Sequence, residues 1–152
     1  LMAKLVRRDV TGVGKKELLS NPIFGPLLAA GGVVFVDRFN TAQAIEALAP
    51  AVQALREGLS LAIAPEGTRS LTPRLGRFKK GAFHMAMQAG VPIVPVVFRN
   101  VLDALPKDAL VVRSATVEVV VLPPIDTSNW TVEGLNAEIA EIRDQYLEVL
   151  NR

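Results

Sequence analysis

A run of polar and charged residues, Glu66-Gly67-Thr68-Arg69-Ser70, carries the chemistry most visible in this chain. The apolar stretch before it, residues 59–64, is typical of a buried strand, and Pro65 ends the hydrogen-bond ladder of that strand. Gly67 lets the backbone turn close to a ligand. Arg69 presents a planar fork of donors with a hydroxyl residue on each side. These residue types at this spacing predict a turn that binds an oxyanion, such as a phosphate.

Positive charge continues after this turn. Four basic residues follow before Gly81 with no acid among them: Arg74, Arg77, Lys79 and Lys80. A basic loop ahead of a helix is often simply solvated, so Lys79 and Lys80 keep two interpretations, as ligand-binding residues and as surface residues. An anionic partner is expected at this part of the chain.

The composition limits the classes of protein to consider. The chain has 152 residues, half of them apolar, with 17 basic and 15 acidic side chains, which is typical of one globular domain. It has no cysteine and one histidine, so neither a disulfide framework nor a metal site is expected. Clustered positive charge suits phosphate groups or an anionic membrane surface. Nucleic acid is not an expected partner, because aromatic residues are not interleaved with the basic ones.

Helical and extended patterns alternate along the chain. This alternation predicts an α/β fold with a largely parallel or mixed central sheet flanked by helices. In the last helix we expect Thr131 to be the N-cap, with Trp130 and Leu135 forming a hydrophobic staple. The apolar residues along one face of that helix are expected to be buried: Leu135, Ile139, Ile142, Tyr146 and Val149. The predicted strands cover residues 10–13, 33–36, 59–64, 93–98 and 117–122, and the predicted helices start near residues 22, 41, 81 and 131.

Charged residues follow three of the predicted strands. Lys15 comes after residues 10–13, Arg38 after residues 33–36, and the motif 66–70 after residues 59–64. Ligands of open α/β sheets bind beyond the carboxyl ends of the strands, so these groups are expected to converge on one anion. Arg38 could instead pair with a neighbouring acid, and Lys16 is an alternative to Lys15.

The order of these segments resembles the glycerolipid acyltransferases, the 1-acylglycerol-3-phosphate (lysophosphatidic acid) acyltransferase family. Residues 32–38 (GVVFVDR) are similar to the second sequence block of that family, residues 66–70 to the third, and residues 91–96 (VPIVPV) to the fourth. Residues 15–19 and 78–83 are also similar to it. The resemblance covers nearly the whole chain, is weakest after Pro124, and implies a glycerol-3-phosphate acyltransferase-like fold.

The resemblance implies transfer of a fatty acyl group to the free hydroxyl of a lysophospholipid, expected to be 1-acylglycerol-3-phosphate, in phospholipid biosynthesis. The donor would be acyl-CoA or acyl carrier protein, with no bound cofactor, at the cytoplasmic face of a membrane. Residues 91–96 would support the acyl side by apolar packing. The residues implied in binding the acceptor phosphate are Arg38, Glu66, Gly67, Thr68, Arg69, Ser70 and Lys15.

The chain departs from the family pattern at its first block, a histidine followed five positions later by an aspartate that is thought to activate the acceptor hydroxyl. The histidine of this chain, His84, is followed at that distance by Ala89. We expect His84 to be a half-buried or surface residue of a helix, and the catalytic pair to lie upstream of Leu1. Residues 1–152 would then be a single acyltransferase domain, truncated at its N-terminal side and inactive by itself. The alternative is a non-catalytic module that binds anionic lipid.

Overall fold

The structure, a computed structural model, describes residues 10–15, 34–36, 48–68, 72, 74–104 and 113–152. These residues belong to two compact units. The first unit contains described residues up to Ile63 together with Gly81–Val91, and the second contains Ala64–Lys80 and the part from Pro92 onward. The prediction of a single domain over residues 1–152 stays a prediction.

The first unit contains a parallel sheet of three strands. These are β1 (Val10–Lys15), β2 (Val34–Val36) and β3 (Ser60–Ala62), in the order β2-β1-β3. Lys15 pairs with Val36 at the ends of β1 and β2. On the other side of β1, Gly12 pairs with Ala62. The carboxyl ends of the strands therefore face the same edge of the sheet, as the sequence predicted.

Two helices pack together in this unit. Helix α1 (Ala49–Arg56) has a proline in its first turn, where no amide donor is needed, and α2 (Gly81–Ala89) ends at Gly90 with φ of +68°. Their contact is apolar: Ala51, Val52 and Met85 are buried, and Leu48, Leu55, Leu61, Ile63, Ala82 and Ala89 pack around them. The predicted start of α2 near residue 81 is confirmed; the predicted start of α1 near residue 41 lies outside the described residues, as does the predicted helix near residue 22.

The second unit contains an antiparallel pair, β4 (Val96–Arg99) and β5 (Glu118–Val121), with the short helix α3 (Val101–Ala104) after β4. Both strands are shorter than predicted. Ile93, expected inside the strand, forms an isolated bridge with Ile125 instead. Pro95 carries no amide hydrogen and separates this bridge from β4, which explains the later start of the strand.

Helix α4 (Leu135–Leu150) packs against β4. Its predicted apolar stripe is confirmed, since Leu135, Ile139, Ile142 and Val149 are buried. The predicted N-cap is wrong, because the cap position is Gly134 and Thr131 lies outside the helix. The hydroxyl of Thr131 accepts a hydrogen bond from the Gly134 amide at 3.1 Å, so it stabilises the turn that precedes the helix.

Helices and strands alternate through the described residues, in agreement with the predicted α/β class, and parallel and antiparallel pairings are both present. Among the described residues, no helix combines the length and the apolar character needed to cross a bilayer.

Candidate functional site

The residues after β3 form a tight turn. The Gly67 amide donates to the Ala64 carbonyl at 3.0 Å, with Pro65 and Glu66 between them. Proline at the second position suits a β-turn because its φ is already fixed near the required value. Gly67 has φ of +72°, a backbone conformation that residues with a Cβ rarely adopt. The sequence predicted this role of Gly67, and the turn presents exposed Thr68 directly after it.

Lys79 packs on this turn. Its amide donates to the Pro65 carbonyl at 2.7 Å, which ties residues 77–80, here called the basic segment, to the turn. The aliphatic stem of Lys79 covers Gly67: a Cβ at Gly67 would lie 3.4 Å from the Lys79 Cγ and 3.5 Å from its Cε. The stem of this exposed lysine is therefore held against the turn by packing. This places a cation next to the candidate anion-binding residues.

The carboxylate of Glu66 fastens a second loop to the turn. Its Oε2 accepts a hydrogen bond from the Gly76 amide at 2.7 Å, in a partly buried position. A Cβ at Gly76 would lie 2.6 Å from the same oxygen, so the close approach depends on glycine. A charged acceptor makes this bond stronger than one between neutral groups. In the described structure Glu66 therefore holds the backbone at Gly76, which leads into the basic segment.

Arg143 of α4 holds the same loop from the other side. Its Nε donates to the Gly76 carbonyl and its Nη2 to the Leu75 carbonyl, both at 3.1 Å. Arg143 lies 67 residues beyond Gly76, so the contact joins the C-terminal helix to the loop. Glu66 and Arg143 together fix both the amide and the carbonyl of Gly76. The loop between the motif and the basic segment is therefore held at a defined position.

An aromatic pair anchors the middle of the basic segment. Phe78 is 5% exposed and meets Tyr146 edge to face, with ring centroids 5.2 Å apart and an angle of 82°. The Tyr146 hydroxyl accepts a hydrogen bond from the Val96 amide at 3.3 Å, and burial raises the pKa of this phenol above its usual value of 10. With Phe78 buried, its neighbours Arg77 and Lys79 are exposed. The segment thus presents its charges outward.

A groove of about 930 Å³, here called the basic groove, lies within the second unit between this segment and α4. It has a cationic part and an apolar part, and no acid is present among the described residues that line it. The lining residues are Arg77, Phe78, Lys79, Lys80, Asn136, Ile139, Ala140 and Arg143.

The structure describes only some of the residues predicted to bind phosphate. Glu66, Gly67 and Thr68 form the turn, and Lys15 is the last residue of β1 rather than a residue after it. Three others, Arg38, Arg69 and Ser70, lie outside the described residues. The convergence of Lys15 and Arg38 with the turn therefore stays a prediction.

His84 lies on α2 and is partly buried, in agreement with its expected position on a helix. Among the described residues, no three histidine, aspartate or glutamate side chains are grouped so that they could hold a metal ion. The chemistry that the described residues offer is the binding of anions by backbone amides and cationic side chains.

Sequence reasoning missed Gly76 and Arg143. An isolated glycine within a basic loop is a signal for close backbone approach, so Gly76 could have been singled out. Arg143 is the one basic residue of α4, a helix with Glu138, Glu141, Asp144 and Glu148. Its partners are backbone carbonyls far away in sequence, and no local pattern indicates them.

Comparison with known proteins supports the resemblance of the sequence blocks. The chain is 40% identical over 140 residues to a 1-acyl-sn-glycerol-3-phosphate acyltransferase of Limnanthes douglasii, covering 91% of this chain and 50% of that protein. It is 36% identical over 154 residues to the protein of the same name from Escherichia coli (strain K12), covering 99% and 62%. The chain thus spans about half to three fifths of the length of these relatives.

A solved structure gives the same result for the fold. The crystal structure of the 1-acyl-sn-glycerophosphate (LPA) acyltransferase PlsC from Thermotoga maritima matches with a TM-score of 0.72 and 25% identity, covering 93% of this chain and 57% of that one. This likeness confirms the predicted α/β, acyltransferase-like fold. A sequence model described as "Acyltransferase" matches residues 1–99, about two thirds of the chain. The chain therefore belongs to the acyltransferase family.

Proposed function

We propose that the protein transfers a fatty acyl group to the free hydroxyl of 1-acylglycerol-3-phosphate, and that this chain carries the part that binds the acceptor phosphate. The observation that carries the proposal is the geometry of the turn after β3. The turn places Gly67 and exposed Thr68 beside Lys79 in a chain related to proteins named for this activity.

The proposed chemistry needs a phosphate ligand to be oriented while its hydroxyl attacks a thioester. The new ester bond joins that hydroxyl oxygen to the acyl carbon, the carbon–sulfur bond breaks, and the hydroxyl proton leaves to a base. Residues that hold the phosphate set the position of the hydroxyl, so they contribute through orientation. Glu66 contributes indirectly, because its hydrogen bond to Gly76 keeps the loop that carries Lys79 in place. A bare carboxylate next to the phosphate would repel it, and this bond gives the carboxylate another role.

Residues outside the described part complete the proposed phosphate site: Arg38, Arg69, Ser70 and the side chain of Lys15. Arginine is suited to this task because its planar guanidinium donates two parallel hydrogen bonds to a phosphate. The donor is proposed to be acyl-CoA or acyl carrier protein. The reaction is proposed to take place at the cytoplasmic face of a membrane, since both its acceptor and its product are lipids.

The full-length protein should be assayed with labelled acyl-CoA and a panel of acceptors: 1-acylglycerol-3-phosphate, lysophosphatidylcholine, monoacylglycerol and glycerol-3-phosphate. The proposal expects labelled phosphatidic acid from the first acceptor and much less product from the others. Binding of 1-acylglycerol-3-phosphate without turnover from either labelled acyl-CoA or labelled acyl-(acyl carrier protein) would contradict the proposal and favour a lipid-binding module. Equal use of monoacylglycerol would contradict the role of the phosphate.

A further inference from the structure

The basic groove is a second candidate site for phosphate, next to the turn at Gly67. Its volume of about 930 Å³ lies at the upper end of the roughly 300–1,000 Å³ typical of small-molecule sites. It is formed by residues 77–80 and by α4, all within the second unit. The function proposed above assigns the acceptor phosphate to the turn, and this groove is left without a role.

The charge of the groove points to a ligand with several phosphates. Arg77, Lys79 and Lys80 are exposed cations on one wall, and Arg143 stands on the other. Two of the five N–H groups of the Arg143 guanidinium donate hydrogen bonds to the Gly76 and Leu75 carbonyls. Because none of the described residues lining the groove is acidic, the positive potential of these four groups is not neutralised by that lining.

The apolar part of the groove suits a discrete small-molecule ligand. Phe78 and Ile139 are buried side chains of its lining, Ala140 adds a methyl group, and Asn136 adds a neutral amide. A concave site that combines apolar surface with a few polar groups is typical of small-molecule binding.

We propose that the basic groove binds the phosphates of a coenzyme A thioester, the acyl donor of the reaction. This inference rests on the proposed function, which requires a donor. Coenzyme A carries a diphosphate and a phosphomonoester, so its charge complements a site with four cations. Lys79 belongs to the groove and also covers Gly67, which places the groove directly beside the proposed acceptor turn. Donor and acceptor would then bind on neighbouring parts of one surface.

The test is binding of coenzyme A to the full-length protein by isothermal titration calorimetry, with wild type and the double variant Arg77→Gln/Lys80→Gln. Both side chains are exposed, so the substitutions remove charge with little loss of packing. The matched control is Arg113→Gln/Arg152→Gln, which removes the same charge from exposed residues of the same unit outside the groove. We expect the groove variant to raise the Kd by about ten-fold or more, a combined loss of about 1.4 kcal/mol for two exposed and partly screened cations. The control should change the Kd less than three-fold, because its two charges lie outside the groove lining and are screened by solvent and salt.

Three further measurements separate the alternatives. The groove variant should raise the KM for acyl-CoA and leave the KM for 1-acylglycerol-3-phosphate unchanged; the opposite result would assign the groove to the acceptor and overturn the inference. Loss of binding to phosphatidylglycerol vesicles with unchanged affinity for coenzyme A would identify a membrane contact instead. Dephospho-coenzyme A, which lacks the 3′-phosphate, should bind more weakly to wild type and lose less affinity on substitution.

Failure of this inference and failure of the proposed function give different results. A protein that binds coenzyme A through Arg77 and Lys80 but acylates no lysolipid would overturn the proposed function and leave the groove assignment standing. A protein that produces phosphatidic acid only from acyl carrier protein, with no measurable affinity for coenzyme A, would overturn the groove assignment and leave the function standing.

Discussion

Gly76→Ala tests whether the Glu66 carboxylate holds the loop that carries the basic segment. The new Cβ would lie 2.6 Å from the Glu66 Oε2, too close for an unchanged structure. That oxygen is the end of a flexible side chain, so the overlap itself is relieved by rotation of the glutamate. The lasting loss is the hydrogen bond between the carboxylate and the Gly76 amide, now 2.7 Å long.

The magnitude follows from two opposing effects. Loss of a hydrogen bond to a charged group costs about 1.5–3 kcal/mol. Replacing glycine by alanine at a position with an ordinary backbone conformation gains about 0.4–1 kcal/mol, because the unfolded chain loses freedom. We therefore expect Gly76→Ala to lower the free energy of unfolding by about 0.5–2.5 kcal/mol, with both effects combined.

A double-mutant cycle separates this cause from a general defect of the loop. Urea unfolding of wild type, Gly76→Ala, Glu66→Ala and the double variant can be followed by fluorescence of Trp130, the one tryptophan of the chain, which lies in the same unit as Gly76. Once Glu66 is alanine, the second substitution should be neutral or stabilising. Gly81→Ala is the control, since nothing lies within 4 Å of its added Cβ. An equal loss from Gly76→Ala with and without the Glu66 carboxylate would refute the reasoning.

Two other substitutions test the neighbouring contacts. Gly67→Ala forces a Cβ into φ of +72° against the stem of Lys79, so it should cost about 1–2 kcal/mol of unfolding free energy in urea titrations; an unchanged midpoint would contradict this. Tyr146→Phe leaves the Val96 amide without its partner and should cost about 1 kcal/mol. Because burial raises the pKa of Tyr146, wild-type stability should persist below pH 10 and fall as the pH rises through the folded-state pKa, a loss that Tyr146→Phe should abolish in thermal melts.

Local signals in the sequence were sufficient for several elements. Gly90, with φ of +68°, ends α2 because glycine readily adopts the left-handed conformation that terminates helices. The apolar spacing of α4 identified its buried face, since that periodicity reflects one side of a helix. Thr131 was wrongly predicted as the N-cap of α4, because a hydroxyl that accepts an amide hydrogen bond suits a turn as well as a cap.

The contacts that position the turn could not be predicted from local sequence signals. Arg143 and Gly76 meet because α4 and the loop pack together, and neither residue has neighbours in sequence that indicate this. The antiparallel pairing of β4 and β5 likewise joins segments about twenty residues apart, with Arg99 opposite Glu118 at 3.0 Å. In contrast, the phosphate-binding hypothesis came from residue types within one short motif, where the sequence itself places Glu66 to Ser70 side by side.

The role of the motif in holding a phosphate is tested most directly by the acceptor preference of Arg69→Ala in the full-length protein. We expect kcat/KM for 1-acylglycerol-3-phosphate to fall more than ten-fold, since one charge-assisted partner is worth about 1.5–3 kcal/mol, while the slow use of monoacylglycerol stays unchanged. Arg38→Ala should show the same selective loss. Wild-type efficiency with the phosphorylated acceptor, or an equal loss with both acceptors, would contradict the assignment of the motif to the phosphate.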